Sequence, residues 1–523
     1  MSRFVEFLAI CLVVGCLCLA VQKRQSASAQ DSPAVAPKPG PAIYNLDDGY
    51  LQWPQRPADL QYASIDGRQL HKYVEELAAI SEHYRDSGHP QFWGRIEGTS
   101  SDEESAQWVA DKFKAAGLDV HIQSFDLPPQ WIPQSWQVSA TADGKNVDLD
   151  TAFPGLRCAG TSGAGLDLEA VYVGLGNAAD LAGKDLRGKA VFVYTVPEPG
   201  MWSHSAQYTG GVERVEQAGA AAVFLVPMIP GNVRYARPVS RIARPAAGAA
   251  ADAQPKGVPE FSIGYEQAEG VRKMIEQGSK PHIQIKLDVK EVPGLKTSSV
   301  WGTLPGVSDE KVIVVAHRDG YFDGAGDNAS GVATMVGLAE YFAKIPKSKR
   351  PRTLEFVGTA GHHGTAVSVP WMAANAQTAL AKTALLMNAE HMALTQPYYF
   401  AGKIRLANTT TAEHWNFNGS PKLVDIATKA FGEFGVATYQ QTDGVAFAEI
   451  SAASRLVPSF GVINVDTYYH SDQETPEMVP WTGLGQVTRA FAEIIDGVNK
   501  VGIDQLLAPG MEEINPSPSG AGH

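Results

Sequence analysis

The chain has 523 residues, 44% of them hydrophobic, and a net charge of −13 with a sequence pI near 5.5. That length allows two or three domains. The acidic balance, with no basic block interleaved with aromatics, argues against nucleic acid as a partner. Cysteine use is equally restrictive: Cys11, Cys16 and Cys18 fall in the first 20 residues and leave Cys158 alone in the rest of the chain. An intramolecular disulfide and a Cys-type metal cluster are both excluded there, and Cys158 reads as a small buried hydrophobe.

In chain order, Arg3, the apolar run Phe7–Val21 and Ala27-Ser-Ala29 follow the pattern of a secretory signal with Gln30 as the mature start. Residues 1–29 are thus expected to be a signal peptide of a secreted or periplasmic protein. An uncleaved N-terminal tether is the alternative, and no stable membrane span is expected after cleavage. Residues 30–60, rich in Pro, Ala and Asp, read as a linker. A helix is predicted from Asp66 through Leu70, Tyr73, Val74, Leu77 and Ile80. After the turn Gly94-Arg-Ile-Glu-Gly-Thr99, a second helix is predicted, capped by Ser100 or Ser101 and stopped by Gly117. Asp119–Phe125 alternates like an edge strand.

Near Pro154 the texture changes to short strands and Gly-rich turns, with strand candidates at 168–174, 189–194 and 221–226 and a short helix at 211–218. Residues 154–290 are therefore expected to form an inserted β-rich domain between two parts of a larger one, 61–153 and 291–505. Arg234–Arg244 reads as a solvated loop. From Val300 onward strand and helix patterns alternate, which points to a layered α/β sheet. Residues 506–523 read as a disordered tail.

The chemistry is concentrated at strand ends. The buried-strand pattern Val312–Ala316 runs into His317-Arg-Asp319, then a Gly-rich turn carrying Asp327, then a helix with Asn328 and Ser330 as caps. Open α/β sheets bind ligands at the carboxyl ends of their strands. Three further strands end in comparable residues: 352–358 in His362-His363, 384–388 in Glu390, and 459–464 near His470. Imidazole with carboxylate is a donor set that suits zinc. His391 and His414 read as ordinary polar residues, His391 being the nearer to the site. Two Gly-rich stretches that loosely fit a dinucleotide pattern are set aside, and neither HExxH nor GxSxG occurs.

These residues resemble the co-catalytic zinc aminopeptidases, of bacterial leucyl aminopeptidase and glutamate carboxypeptidase type. The carrying segments are His317-Arg-Asp319, Gly324-Ala-Gly-Asp-Asn-Ala-Ser-Gly331, Tyr469-His470-Ser-Asp-Gln-Glu-Thr475 and Gly94–Thr99. The segment 180–191 and Val258-Pro-Glu-Phe-Ser-Ile263 resemble the protease-associated domain inserted in the carboxypeptidase branch. The resemblance implies a three-layer α/β/α mixed sheet with an inserted small β-rich domain. It also implies two zinc ions per chain, with one as the alternative. Asp327 would bridge them, His317 and Glu390 would complete one site, and His363 and His470 the other. Asp319 would hydrogen-bond His317 and fix its orientation, and Asp443 would anchor a loop behind the ligands. The implied activity is hydrolysis of a peptide or small amide by metal-bound water, of aminopeptidase or carboxypeptidase kind. The family carries two adjacent Glu residues where this chain has His362-His363, and an Asp at the position of Glu390. His362 thereby becomes the candidate proton shuttle. A catalytically silent binding module and a metal-dependent acyl-transfer or cyclising enzyme are the two alternatives. Oligomeric state is left open.

Overall fold

The computed structural model describes residues 54–196, 205–237, 257–401, 403–440, 448–464 and 467–515. The leader, Asp443 and most of the linker lie outside them. Helix α1 (Gly67–Asp86) starts where Asp66 accepts a hydrogen bond from the Arg68 amide at 2.9 Å. It buries Leu70, Tyr73, Val74, Leu77 and Ile80, the predicted stripe. The two-residue strand β1 (Gly94–Arg95) precedes α2 (Ser100–Ala116), which ends at Gly117 in the left-handed region, φ 85°. Neither serine caps α2. Thr99 holds the cap position without a side-chain bond, and the Ser101 hydroxyl turns to the Gly94 carbonyl at 2.7 Å. Strand β2 (Asp119–Asp126) follows and lies at the edge of its sheet.

The chain then leaves for a second sheet. Its strands are β3 (Gln130–Ala142), β4 (Lys145–Asp148), β5 (Phe153–Pro154), β6 (Leu166–Tyr172), β7 (Ala190–Thr195), β8 (Ala222–Pro227), β9 (Glu260–Ser262) and β10 (His282–Val292). They order as β4-β3-β10-β6-β7-β8-β9-β5. β6 to β9 are parallel, and β3 and β10 are a long antiparallel pair. Helix α3 (Tyr265–Glu276) packs Ala268 and Val271 on this sheet, in a core with Phe192, Phe224 and Phe261. Val191, Val193 and Val223 point the other way, onto Val212 and Val215.

The chain returns through β11 (Lys296–Leu304) to the first sheet, then β12 (Lys311–His317), β13 (Gly320–Tyr321), α4 (Gly331–Ala343), β14 (Thr353–Thr359) and β15 (Thr383–Ala389). The hairpin β16 (Thr395–Phe400) and β17 (Lys403–Thr410) stands apart from both sheets. β18 (Glu413–Asn418), α5 (Pro421–Phe434), β19 (Thr438–Gln440), β20 (Ser459–Ile463) and α6 (Trp481–Val498) complete the set. The first sheet has the order β19-β18-β20-β15-β12-β14-β11-β2. Its centre, β20, β15, β12 and β14, is parallel, with antiparallel β11 and β2 on one flank.

β12 is buried throughout, and its alternation defines the layers. Val312, Val314 and Ala316 face a core with α1, α2, α4 and α6. Ile313 and Val315 face Val369, Met372, Ile450 and Val457 on the other side. The result is the expected mixed α/β layering, with a second β-rich sheet in the same chain. No helix among the described residues is long and apolar enough to cross a membrane.

Glu413, on β18, is 2% exposed, and among the described residues its carboxylate accepts from the Ala393 amide at 2.7 Å. Burial pushes its pKa from 4.5 up to about 8, against that bond. The folded state therefore holds this proton more tightly than the unfolded chain. The contribution to stability is fully present below pH 4.5 and is lost as pH rises to about 8. Glu413→Gln should melt with the wild type near about pH 5 and at a higher temperature near about pH 8. Parallel melting curves across that range would contradict this.

Candidate metal centre

The site begins with a turn that has to be held. His317 is the last residue of β12, and Arg318–Gly324 folds back over the strand end. Buried Arg95 fastens that turn: its guanidinium donates to the carbonyls of Arg318 (2.8 Å), Asp323 (2.7 Å) and Gly324 (2.8 Å) and to the Ser81 hydroxyl (2.9 Å). A Cβ on Gly320 would stand 2.4 Å from the Asp327 carbonyl, so only glycine fits there. Of the two predicted caps of α4, Asn328 accepts from the Gly331 amide at 3.2 Å, whereas the Ser330 hydroxyl donates to the Gly326 carbonyl at 2.7 Å.

Asp327 is 1% exposed, and each of its carboxylate oxygens faces two imidazole Nε2 atoms. His391 (2.8 Å) and His317 (3.2 Å) flank Oδ1; His470 (2.7 Å) and His363 (3.0 Å) flank Oδ2. Glu390 Oε1 lies 3.8 Å from His317 Nε2, 3.9 Å from His391 Nε2 and 3.7 Å from His362 Nε2. One further carboxylate ties the two ends together: Glu474 accepts from the Asp327 amide at 2.5 Å and from the His470 amide at 2.9 Å. His362 stacks on His317, ring centroids 4.2 Å apart, with its Nδ1 2.9 Å from Glu449 Oε2.

Burial works against every charge here. It would raise the Asp327 carboxyl, but the imidazoles of His363, His391 and His317 outweigh it and hold that carboxyl well below its usual range. Burial would likewise raise Glu390, which His362, His317 and His391 pull down. His470 is pushed well below its usual value by burial and by neighbouring His363. Burial and His317 would lower His362, but Glu390 and Glu449 prevail and raise it.

His317, Asp327, His363, Glu390 and His470, far apart along the chain, thus gather in one cluster. Asp319 sits beside them in another role from that expected. Its carboxylate is 3.7 Å from His317 Nδ1 and instead accepts the amides of His362 (3.2 Å) and His363 (2.8 Å). The Asp319 backbone carbonyl, 3.1 Å away, takes the Nδ1 proton of His317. Asp443 lies outside the described residues. Three residues escaped the sequence reading. His391 is a full member of the cluster, while Glu449 and Glu474 hold other members in place. Glu474 lies within the quoted Tyr469–Thr475 segment, so only its role was hidden.

The donor set fits a divalent cation. His317 Nε2, Asp327 Oδ2, His363 Nε2, Glu390 Oε1 and His470 Nε2 are buried and make no hydrogen bond among the described residues. Buried polar atoms left without a partner are costly, and a cation would serve all five. Compatible groupings are His317–Asp327–His391, Asp327–His363–His470 and His317–His362–Glu390. Beside His363 a cavity of about 60 Å³ opens, lined by Phe92, Trp131, Leu156, Arg157 and Tyr321.

The site is thus a parallel-centred α/β sheet with imidazoles and carboxylates at four neighbouring strand ends, a donor set that suits a divalent metal. Residues 299–495 match the profile of Peptidase family M28. The chain is 24% identical over 272 residues to aminopeptidase YwaD of Bacillus subtilis, covering 50% of each chain. It is 24% identical over 360 residues to a probable glutamate carboxypeptidase of Arthroderma benhamiae, covering 53% of this chain and 48% of that one. The chain spans about half the length of the curated relatives it matches. Its fold is similar to a peptidase M28 precursor of Shewanella amazonensis, with TM-score 0.61, 16% identity, and 86% and 99% of the two chains covered. It is also similar to a zinc aminopeptidase of Bacillus subtilis, with TM-score 0.57, 17% identity, and 85% and 98% covered.

Glu474→Ala should leave two buried amides without an acceptor, at about 1–3 kcal/mol each, and loosen Asp327 and His470 together. The variant is expected to fold, by circular dichroism, and to retain less than about a tenth of the wild-type zinc after dialysis, a loss of the size seen when groups supporting metal ligands are removed. Zinc retention equal to wild type would show that Glu474 does not organise the site.

Proposed function

We propose that this chain is a zinc-dependent hydrolase of peptide or related amide bonds, acting at a chain terminus. The observation that carries the reading is the set of four Nε2 atoms converging on the two oxygens of buried Asp327. The family match over 299–495 supports it, as do the names of both curated relatives. Asp327 would bridge two zinc ions, with His363 and His470 on one side and His317 and Glu390 on the other. Bound zinc supplies Lewis-acid polarisation of a carbonyl and acidification of water.

This chain's own residues supply orientation and proton handling. The Asp319 carboxylate fixes the backbone of His362 and His363, and Glu449 fixes the His362 ring through Nδ1. His362 Nε2 then faces Glu390 and the centre, where it is placed to take a proton from water and pass it to the leaving amine. His362 thus stands in for the family's Glu. We also read the second sheet as a protease-associated insert shaping access from the cavity side, and the N-terminal leader as directing the protein out of the cytoplasm.

The zinc-loaded full chain is expected to hydrolyse aminoacyl or peptidyl amides. His362→Ala should lower kcat by about 10²–10⁴-fold, the usual contribution of a general acid–base group, with zinc content unchanged. If the wild type turns over no such substrate while a His362→Glu, His363→Glu variant does, the chain is a binding module that has kept the scaffold.

A further inference from the structure

Glu390 and His391 directly follow β15 (Thr383–Ala389), and in a chain that simply stayed extended two adjacent side chains would point to opposite faces. Here both reach one site. His391 has φ 50°, in the left-handed region, and this turn brings its ring back to the side on which Glu390 lies. The conformation is held: the His391 amide donates to Asn328 Oδ1 at 3.0 Å, and its ring is completely buried. His391 Nδ1 lies 2.6 Å from the Asn464 carbonyl. A carbonyl only accepts, so Nδ1 carries a proton and Nε2 is the nitrogen left for the centre. Nε2 lies 2.8 Å from Asp327 Oδ1, a pair that a shared cation can join. A carbonyl that fixes one ring nitrogen while the other faces the metal is the usual environment of a ligating histidine.

We propose that His391 is a metal ligand, and that it makes the two positions flanking Asp327 unequal. The proposal rests on the zinc reading above and goes beyond it. The first position has four protein donors: His317, His391, Asp327 Oδ1 and Glu390 Oε1. Their separations from His317 and His391, 2.8–3.9 Å, bracket the about 3.4 Å between donors of a tetrahedral ion with bonds near 2.1 Å. The second position has three, His363, His470 and Asp327 Oδ2. Sites filled by four protein donors are structural, whereas three donors plus an open place mark catalytic ones. The cavity agrees with that division. Of the candidate ligands His363, which belongs to the second position, lines it, beside Asp319 and Tyr321, while Asp327, His470, His317, Glu390 and His391 do not. Substrate would therefore meet the second ion, while the first stays permanently bound and fixes Asp327.

The test is zinc per full-length chain, measured after equilibration against a graded series of chelator concentrations. Wild type should lose its zinc in two steps, the second at a chelator level at least about tenfold above the first. His363→Ala should abolish the early step and keep the late one. His391→Ala should move the late step down by at least about tenfold. His391→Gln, whose amide can still donate to the Asn464 carbonyl, should do the same. Replacing zinc by cobalt(II) should give a visible spectrum that changes in the His391 variants for the tightly held ion. A late step unmoved in both His391 variants, or two equal steps in the wild type, overturns the inference and leaves the hydrolase reading intact. A wild type that takes up no zinc overturns both.

Discussion

The structure depends on one carboxylate taken out of water. Burying an ion costs several kcal/mol even after relaxation, and Asp327 is surrounded by backbone and rings instead of solvent. Four imidazoles meet that cost only if each presents the correct nitrogen, and the supporting bonds serve this requirement. The Asp319 and Asn464 carbonyls set the tautomers of His317 and His391. The Asp319 carboxylate sets the backbone of His362 and His363. Glu474 sets Asp327 and His470 together, and Arg95 keeps the intervening turn against its strand. A bound cation would add to this the partner that His317 Nε2, His363 Nε2 and His470 Nε2 lack among the described residues.

The second sheet takes part in this support. Its segment after β8 pairs with the loop that carries His470: Tyr235 bridges Ser471, the Ala236 amide donates to the His470 carbonyl at 3.0 Å, and the Tyr235 hydroxyl reaches the Thr467 carbonyl. Arg237 lies over the Tyr469 ring, 4.7 Å from its centroid. Arg234–Arg237, the beginning of the stretch that reads as a solvated loop, is thus a buttress of the loop that carries His470, with Tyr235 2% exposed. Polar and Ala-Gly-rich composition is a sound guide to solvation only when no partner segment is waiting, and a partner such as Ser471, far along the chain from Tyr235, leaves no local signal.

Much of the fold was legible because its signals are local. A run such as Val312–Ala316 can hardly be anything but a buried strand, and Gly117 stops α2 by its left-handed φ. The strand-end histidines were legible for the same reason, since each follows an apolar run. What stayed hidden is what depends on a single backbone angle or a distant acceptor. His391 reads in the sequence as a polar residue near the site, and only its positive φ and its contacts with Asn328, Asn464 and Asp327 show that its ring reaches the cluster. Glu449 and Glu474 look like any acid in a polar loop until the amides and ring that they hold are placed around them. The family resemblance gives the Asp319 carboxylate to His317, whereas the amides of His362 and His363, in the turn after β14, present better geometry.

The most direct measurement is anomalous diffraction at the zinc edge from crystals of the zinc-loaded chain. Two peaks are expected, one beside each Asp327 oxygen, each about 2.0–2.1 Å from its imidazole Nε2 atoms: His317 and His391 for one, His363 and His470 for the other. No peak within bonding distance of these nitrogens would contradict the metal centre itself.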